Sequence, residues 1–403
     1  MKQHNFYAVS DQLVSRQRIA SIDVLRGIVM VIMALDHTRD FFHIAGATDQ
    51  PTNMATTTLP LFFTRWITHF CAPVFLFLSG IAAFLNGRKK TRSALSGFLL
   101  KRGLWLVLVE ITVVSLVLTL NPYYNLIFLI VFWAIGVSMI LLSVLIWLPY
   151  RVLLALGLVL FFGHNLLDFP EAALKGSLPL FWAIVHGRAA VIPLNATHTI
   201  LIGYSFLPWT GLMILGYCCG RLFTNNRDPI LRKRVLLYTG GGLFLLFILL
   251  RIINVYGDPV PWSEQKSQVI TFLSFMNANK YPPSLIFCCM TIGPALVMLA
   301  LIENTNSRLT RFFSVYGAVP MFYFVLHLLL IRIICVALFF AEGYPVTMAF
   351  STTAPLGFRP AAFGYQLWIV YLIWLMVVLA MYPLCKKYGR FKETKQYWWL
   401  SYL

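Results

Sequence analysis

Charged side chains are scarce in this sequence. They make up 11% of its 403 residues, while 59% are hydrophobic and the mean hydropathy is +0.77. So little polar material cannot cover a soluble domain, which excludes the soluble globular classes and leaves a polytopic membrane protein. Acidic residues are scarcer still: 14 Asp and Glu stand against 32 Lys and Arg, a net charge of +18. In a soluble chain that balance points to nucleic acid. Here most cations sit in short loops between apolar stretches, the positive-inside pattern, so no nucleic-acid partner is expected. The seven cysteines form no Cys-x-x-Cys pair and no Cys/His spacing of a metal site. They read as small apolar core residues, and neither structural disulfides nor a metal is expected. No low-complexity tract, internal repeat or soluble appendage stands out. No apolar run precedes Ser21, so no cleavable leader is expected and the first helix itself serves as insertion signal.

What is abundant is long apolar runs. The expected fold class is an all-α, polytopic integral membrane protein of about ten transmembrane helices. They lie near 22–42, 61–86, 98–120, 125–148, 152–168, 201–223, 235–255, 283–303, 314–341 and 363–385, the fourth and fifth separated only by Pro149, Tyr150 and Arg151. Basic clusters such as Arg88-Lys-Lys90, Arg232-Lys-Arg234 and Lys386-Lys387 recur at alternate ends, which puts both termini in the cytoplasm. The expected organisation is a cytoplasmic segment 1–20, one membrane domain 21–388 and a cytoplasmic tail 389–403.

Ionisable residues inside hydrocarbon cost about 2.5–3.5 kcal/mol each, so a span that keeps several is using them. The first span holds Asp23, Arg26, Asp36, His37, Arg39 and Asp40. Arg26 and His37 are three helical turns apart on one face, separated by roughly 16 Å of axis. Asp23 and Arg26 are spaced to pair, as are Asp36 and Arg39. Asp40 stands three residues after His37, in position to accept from one imidazole nitrogen and fix the tautomer of the other, as a general base requires. A buried histidine satisfied by a neighbouring helix is the bland alternative for His37; two acids and an arginine within one turn favour the functional reading. In the second span Arg65 and His69 share a face, and Pro73 frees the carbonyl of His69 within the membrane. A polar cluster shared by the first two spans is therefore expected, although for His69 alone a kinked, packed helix fits as well. Glu110, alone in the third span, must be protonated or paired, with His37, His69 or Arg65 as partners by depth. His327, in the ninth span, is as well read as a satisfied core histidine as a functional one. At the basic rim, Lys101 and Arg102 suit anionic headgroups or, with Arg26, a polyanionic ligand.

An ordered set of motifs carries a family resemblance. Ser21-Ile-Asp23-x-x-Arg26-Gly27, ten intervening residues from Arg26 to His37, Leu35-Asp36-His37-x-Arg39-Asp40 and Arg65-Trp-x-Thr-His69-Phe-Cys-Ala-Pro73 come first. Phe75-Leu-Phe-Leu-Ser79-Gly80, Lys101-Arg102, Lys280-Tyr-Pro-Pro-Ser284 and Pro320-Met-Phe-Tyr323-x-x-x-His327 follow. Together they resemble transmembrane acyltransferases, in particular the bacterial branch similar to the catalytic domain of heparan-alpha-glucosaminide N-acetyltransferase. The resemblance implies a bacterial inner-membrane enzyme that moves an acyl group, acetyl above all, from cytoplasmic acetyl-CoA to a sugar or glycan on the far side. It implies His37 as the catalytic histidine, with His43 and His69 as rivals, and Arg26 beside the acyl donor. Lys101 and Arg102 then hold CoA phosphates, Asp36 and Asp40 support the base, and Arg39, Arg65 or Tyr323 stabilises the oxyanion, with Glu110 and His327 near the substrate. Membrane lipid is a further partner, and small-residue faces permit a homodimer.

The rival class is a proton-coupled secondary transporter, since midplane His and Asp with broken helices describe carriers too. Against it, the halves show no matching interrupted segments, and the charges are concentrated in the first three spans. A non-catalytic lipid- or glycan-binding protein ranks last, because it needs no buried ionic cluster.

Overall fold

A computed structural model describes residues 20–173, 179–224, 228–350, 356–395, 397 and 400. Apart from Ala20, the expected N-terminal segment 1–20 lies outside the described residues, as does part of the tail 389–403.

The protein is an all-α, polytopic membrane protein. The first helix, α1 (Ala20–Phe42), is buried along most of its length. It carries five ionised side chains that lipid does not tolerate, so it sits inside the bundle and other helices cover it. The helix begins at Ala20, so Ser21 lies within the first turn rather than capping it. The second expected span is two helices, α2 (Leu59–Thr68) and α3 (Cys71–Gly87). The ladder tightens at the joint, where His69 N–H bonds Trp66 O at 3.1 Å and Phe70 N–H bonds Ile67 O at 3.4 Å. Pro73 follows, unable to donate to His69 O, and the break leaves His69 at the joint.

The next unit runs through α4 (Arg92–Val109), a π-turn (Glu110–Val114) and α5 (Ser115–Thr119). The chain then re-enters as β1 (Leu126–Leu129), and α6 (Val131–Leu145) starts part-way into the bundle. The Glu110 carboxylate accepts the N–H groups of Phe132 at 2.6 Å and Trp133 at 3.0 Å. One oxygen of a lone buried carboxyl thus caps an otherwise orphaned helix N-terminus, while among the described residues Glu110 Oε1 has no hydrogen-bond partner. With 15 residues, α6 is roughly 22 Å long, short of the ~30 Å hydrocarbon thickness.

The chain continues through α7 (Tyr150–Gly163), short helices α8 (Asp168–Ala173) and α9 (Leu180–Val185), and strands β2 (Ala190–Pro193) and β3 (Thr199–Ile202). β3 pairs in parallel with β1, Leu126 opposite Thr199, and antiparallel with β2. The sequence reading did not anticipate this three-stranded patch, because four-residue strands are too short to show a period. Helices α10 (Phe206–Cys219), α11 (Pro229–Ile253), α12 (Gln268–Met276), α13 (Leu285–Ile302), α14 (Arg308–Gly317), α15 (Pro320–Ala341) and α16 (Leu367–Thr394) complete the fold. The expected span 314–341 divides at Ala318–Val319, because Pro320 is tolerated in a first helical turn and not inside one.

Among the described residues, eight helical units are long and apolar enough to cross a membrane. Two of the expected ten are not in that number. The charges of α1 exclude it on composition, and the short α6 fails on length.

Helix α14 lies against α1 with almost no space between backbones. A Cβ on Gly27 would fall 1.8 Å from Phe313 O, and one on Gly317 would fall 1.9 Å from Asp23 O. This approach lets Arg26 Nη1 donate to Gly317 O at 3.0 Å as well as to Asp23 Oδ1 at 2.9 Å. Gly27→Ala should therefore push backbone against backbone. A loss of at least about 1–3 kcal/mol is expected, read as a lowered unfolding temperature of the solubilised protein; an unchanged temperature would show that this contact is absent.

At the opposite end three buried arginines bind loops instead of acids. Arg251 donates to the carbonyls of Phe275 (2.8 Å), Ser274 (3.3 Å) and Asn277. Arg332 donates to Leu356 O and Gly357 O, both at 2.7 Å. Arg359 donates to Asp40 O at 3.2 Å and His43 O at 2.6 Å, closing the C-terminus of α1. Cations there complement the orphaned carbonyls and the negative end of the helix dipole.

Candidate functional site

The last two turns of α1 meet α2 in an ion cluster. Arg65 Nη1 donates to Asp36 Oδ1 at 2.8 Å and Oδ2 at 2.5 Å. Thr68 Oγ1 adds a bond to Oδ1 at 2.9 Å, and Arg39 Nη2 lies 2.9 Å from the same oxygen. One carboxylate therefore binds two guanidinium groups. Arg39 also reaches Asp40. Among the described residues, Arg39 Nε and Nη1 have no hydrogen-bond partner although Arg39 is 3% exposed. Lys280, 8% exposed, arrives from the segment before α13 with its ammonium over the rings of Tyr281 (5.2 Å) and Tyr204 (5.9 Å). Its charge acts on Asp36, His37 and His69. Three cations thus surround two carboxylates, leaving net positive charge at the cluster, an arrangement suited to stabilising an anion.

Beside this cluster α15 brings in a second histidine. His37 Nδ1 lies 2.8 Å from His327 Nε2, and His327 Nδ1 lies 2.8 Å from Tyr323 O. A carbonyl only accepts, so His327 carries its proton on Nδ1 and its Nε2 is an acceptor. His37 Nδ1 then carries the proton between the rings, and the lone pair of His37 is on Nε2. A neutral chain of two hydrogen bonds fixes the tautomer that a base needs. The partner expected for this role, Asp40, is engaged by Arg39 instead. Adjacent residues on a helix point about 100° apart, yet Arg39 bends back to reach both Asp36 and Asp40.

A cleft at the basic end is lined by Arg26, Ser79 and Arg102 and, further along the helices, by Met30, Phe132 and Phe324. Phe324, which lines the cleft, stands perpendicular to His37 at 5.8 Å between ring centroids, and His37 itself does not line it. Basic and apolar residues thus line a cleft that one side chain separates from His37.

The structure brings together Asp36, His37, Arg39, Asp40, Arg65, His327 and Tyr323, the last with its ring 4.8 Å from that of His327. His69 is nearby but packs on Phe287 at 5.3 Å, and among the described residues its Nδ1 has no hydrogen-bond partner. His43 sits at the exit of α1, its carbonyl held by Arg359. Arg26 and Arg102 line the cleft, whereas Lys101 is exposed and does not. Glu110 caps α6 and pairs with none of the partners expected for it by depth. Sequence reading did not place Lys280, Tyr281 or Tyr204 in the site. A lysine in a loop reads as solvated, and only the return of that loop over α1 buries it.

The fold and the site define a multi-pass membrane protein with a buried histidine-and-arginine centre reached by a basic-rimmed cleft. Residues 18–240 match the sequence profile of the family described as heparan-alpha-glucosaminide N-acetyltransferase, catalytic. That match covers more than half of the chain, and the chain belongs to this family, one of membrane acetyltransferases. No curated protein matches it.

Proposed function

We propose that the protein transfers an acetyl group from acetyl-CoA, bound at the basic end, to a sugar or glycan entering from the other end, with His37 as general base. The basic end is then cytoplasmic, the membrane is a bacterial inner membrane, and residues 21–388 form the catalytic unit. The observation that supports this reading is the His37–His327–Tyr323 chain, which the Phe324 ring alone separates from the Arg26–Arg102 cleft.

The cleft suits an acyl-CoA in charge and shape. Arg26 and Arg102 stand at its mouth, where phosphates too polar to enter hydrocarbon remain, and the apolar wall below accepts a narrow arm. When bound, the donor supplies a thioester carbonyl as acceptor of the nucleophile. His37 Nε2 takes the proton from the acceptor hydroxyl or amine as the new acyl bond forms and the carbon–sulfur bond breaks. His327 holds the ring in place and spreads the developing charge towards the Tyr323 carbonyl. Arg39, whose Nε and Nη1 lack partners among the described residues, and Lys280 stabilise the oxyanion. Asp36 and Asp40 keep Arg39 in position.

The test is the full chain in lipid discs with acetyl-labelled acetyl-CoA and a panel of amino and neutral sugars. Label is expected on a sugar, dependent on the donor. Absence of donor-dependent label, together with proton-driven solute flux in proteoliposomes, would replace the enzyme with a carrier.

A further inference from the structure

We propose that Asp168 and His186 bind a divalent transition-metal cation, Zn²⁺ fitting best, at the loop end of the protein, with Glu171 holding the histidine in its ligating form. This site is separate from the His37 centre, and the proposal does not depend on the acetyl-transfer reading.

Asp168 and Glu171 stand three residues apart on α8, and His186 is the residue that ends α9. Each of the three offers one donor atom, and these atoms lie within 4.8 Å of one another. The bonding pattern separates their roles. Glu171 Oε2 accepts from His186 Nδ1 and from Trp182 Nε1, both at 3.3 Å. Its other oxygen accepts the Arg188 N–H at 3.2 Å, with Arg188 Nε at 3.6 Å. Glu171 is thus neutralised and engaged on both oxygens. Asp168 Oδ2 accepts from Asn165 Nδ2 at 2.6 Å.

What remains is Asp168 Oδ1 facing His186 Nε2 at 3.9 Å. His186 is 0% exposed, and among the described residues its Nε2 has no hydrogen-bond partner. In a neutral imidazole whose Nδ1 donates to Glu171, Nε2 carries a lone pair, so two lone-pair atoms confront each other, the histidine fully buried and the aspartate partly so. A cation between them resolves this. Two bonds of about 2.0–2.2 Å reach across such a separation, and a small approach of the two ligands brings the angle to the tetrahedral value zinc takes. A ligating imidazole whose other N–H is held by a carboxylate is the usual support of such an ion, and one imidazole with a carboxylate is a donor set for borderline metals. Water completes the coordination.

The location gives the ion a task. His164, its ring centroid 5.8 Å from that of His186, has Nε2 at 2.9 Å from Pro283 O. Asn165 Oδ1 accepts the Leu285 N–H at 2.8 Å. The site therefore braces the segment that carries Lys280 and starts α13.

The experiment uses the full chain, stripped with chelator and titrated with Zn²⁺, with bound metal measured by mass spectrometry and Co²⁺ as a visible-absorption probe. One ion per chain is expected. Asp168→Asn and His186→Ala should lose it while keeping the wild-type size-exclusion profile, and Glu171→Gln should keep it with about 10–100-fold lower affinity. No uptake by the wild-type protein, or equal uptake by His186→Ala, overturns the proposal; the group is then an imidazolium paired with two carboxylates.

Discussion

Replacing His37 with alanine is expected to lower acetyl transfer by about 10²–10⁴-fold, the usual contribution of a positioned general base. The loss should fall on kcat with KM for acetyl-CoA little changed, because the anchors proposed for the donor, Arg26 and Arg102, line the cleft and His37 does not. Packing should survive, since His37 is only half-buried and the substitution leaves His327 bonded to Tyr323 O. The companion variant His327→Gln separates base from orienter. Glutamine can still accept from His37 Nδ1 through its amide oxygen, so activity between that of the wild type and that of the alanine variant is expected. A His37→Ala protein with full activity would exclude this imidazole as the base and transfer the role to His69 or His43.

The second large effect is on stability. Asp36→Ala removes the one carboxylate that binds both Arg39 and Arg65 and receives the Thr68 hydroxyl. Two buried guanidinium groups then lose their main counter-charge. Breaking a buried pair from one side costs about 3–5 kcal/mol, because the remaining charge stays desolvated. The unfolding midpoint of the solubilised protein should fall accordingly, with activity lost as Arg39 moves. Adding Arg65→Ala should recover part of the loss, since the double variant leaves one fewer uncompensated charge. A single variant within about 0.5 kcal/mol of wild type, in the range of ordinary surface changes, would mean that water already reaches this cluster.

Much of the membrane architecture was legible from the residues. Apolar runs of span length announce themselves, and the spacing of Asp23 with Arg26 and of Asp36 with Arg39 foretold pairs found at 2.9 Å. The cluster between the first two spans was legible too, because two charged helix faces in one membrane must find each other. The hydrogen-bond partner of His37 was not. His327 lies 290 residues away, and no local spacing relates the two. Glu110 shows the same limit: a lone carboxylate announces a partner but not that the partner is a helix N-terminus entering part-way. Lys280 and the Asp168–Glu171–His186 group stand in loops, where residue type suggests solvent and only the path of the chain decides burial.

By itself the sequence determined that this chain crosses a membrane many times and which helix carries the ionic centre, since the cost of charge in hydrocarbon is paid locally and is visible in one segment. Only the tertiary structure decided which nitrogen of His37 is engaged, which residue engages it and which ring separates it from the cleft. Those depend on hydrogen-bond distances between distant segments, and a direction in space has no signature in a linear order of residues.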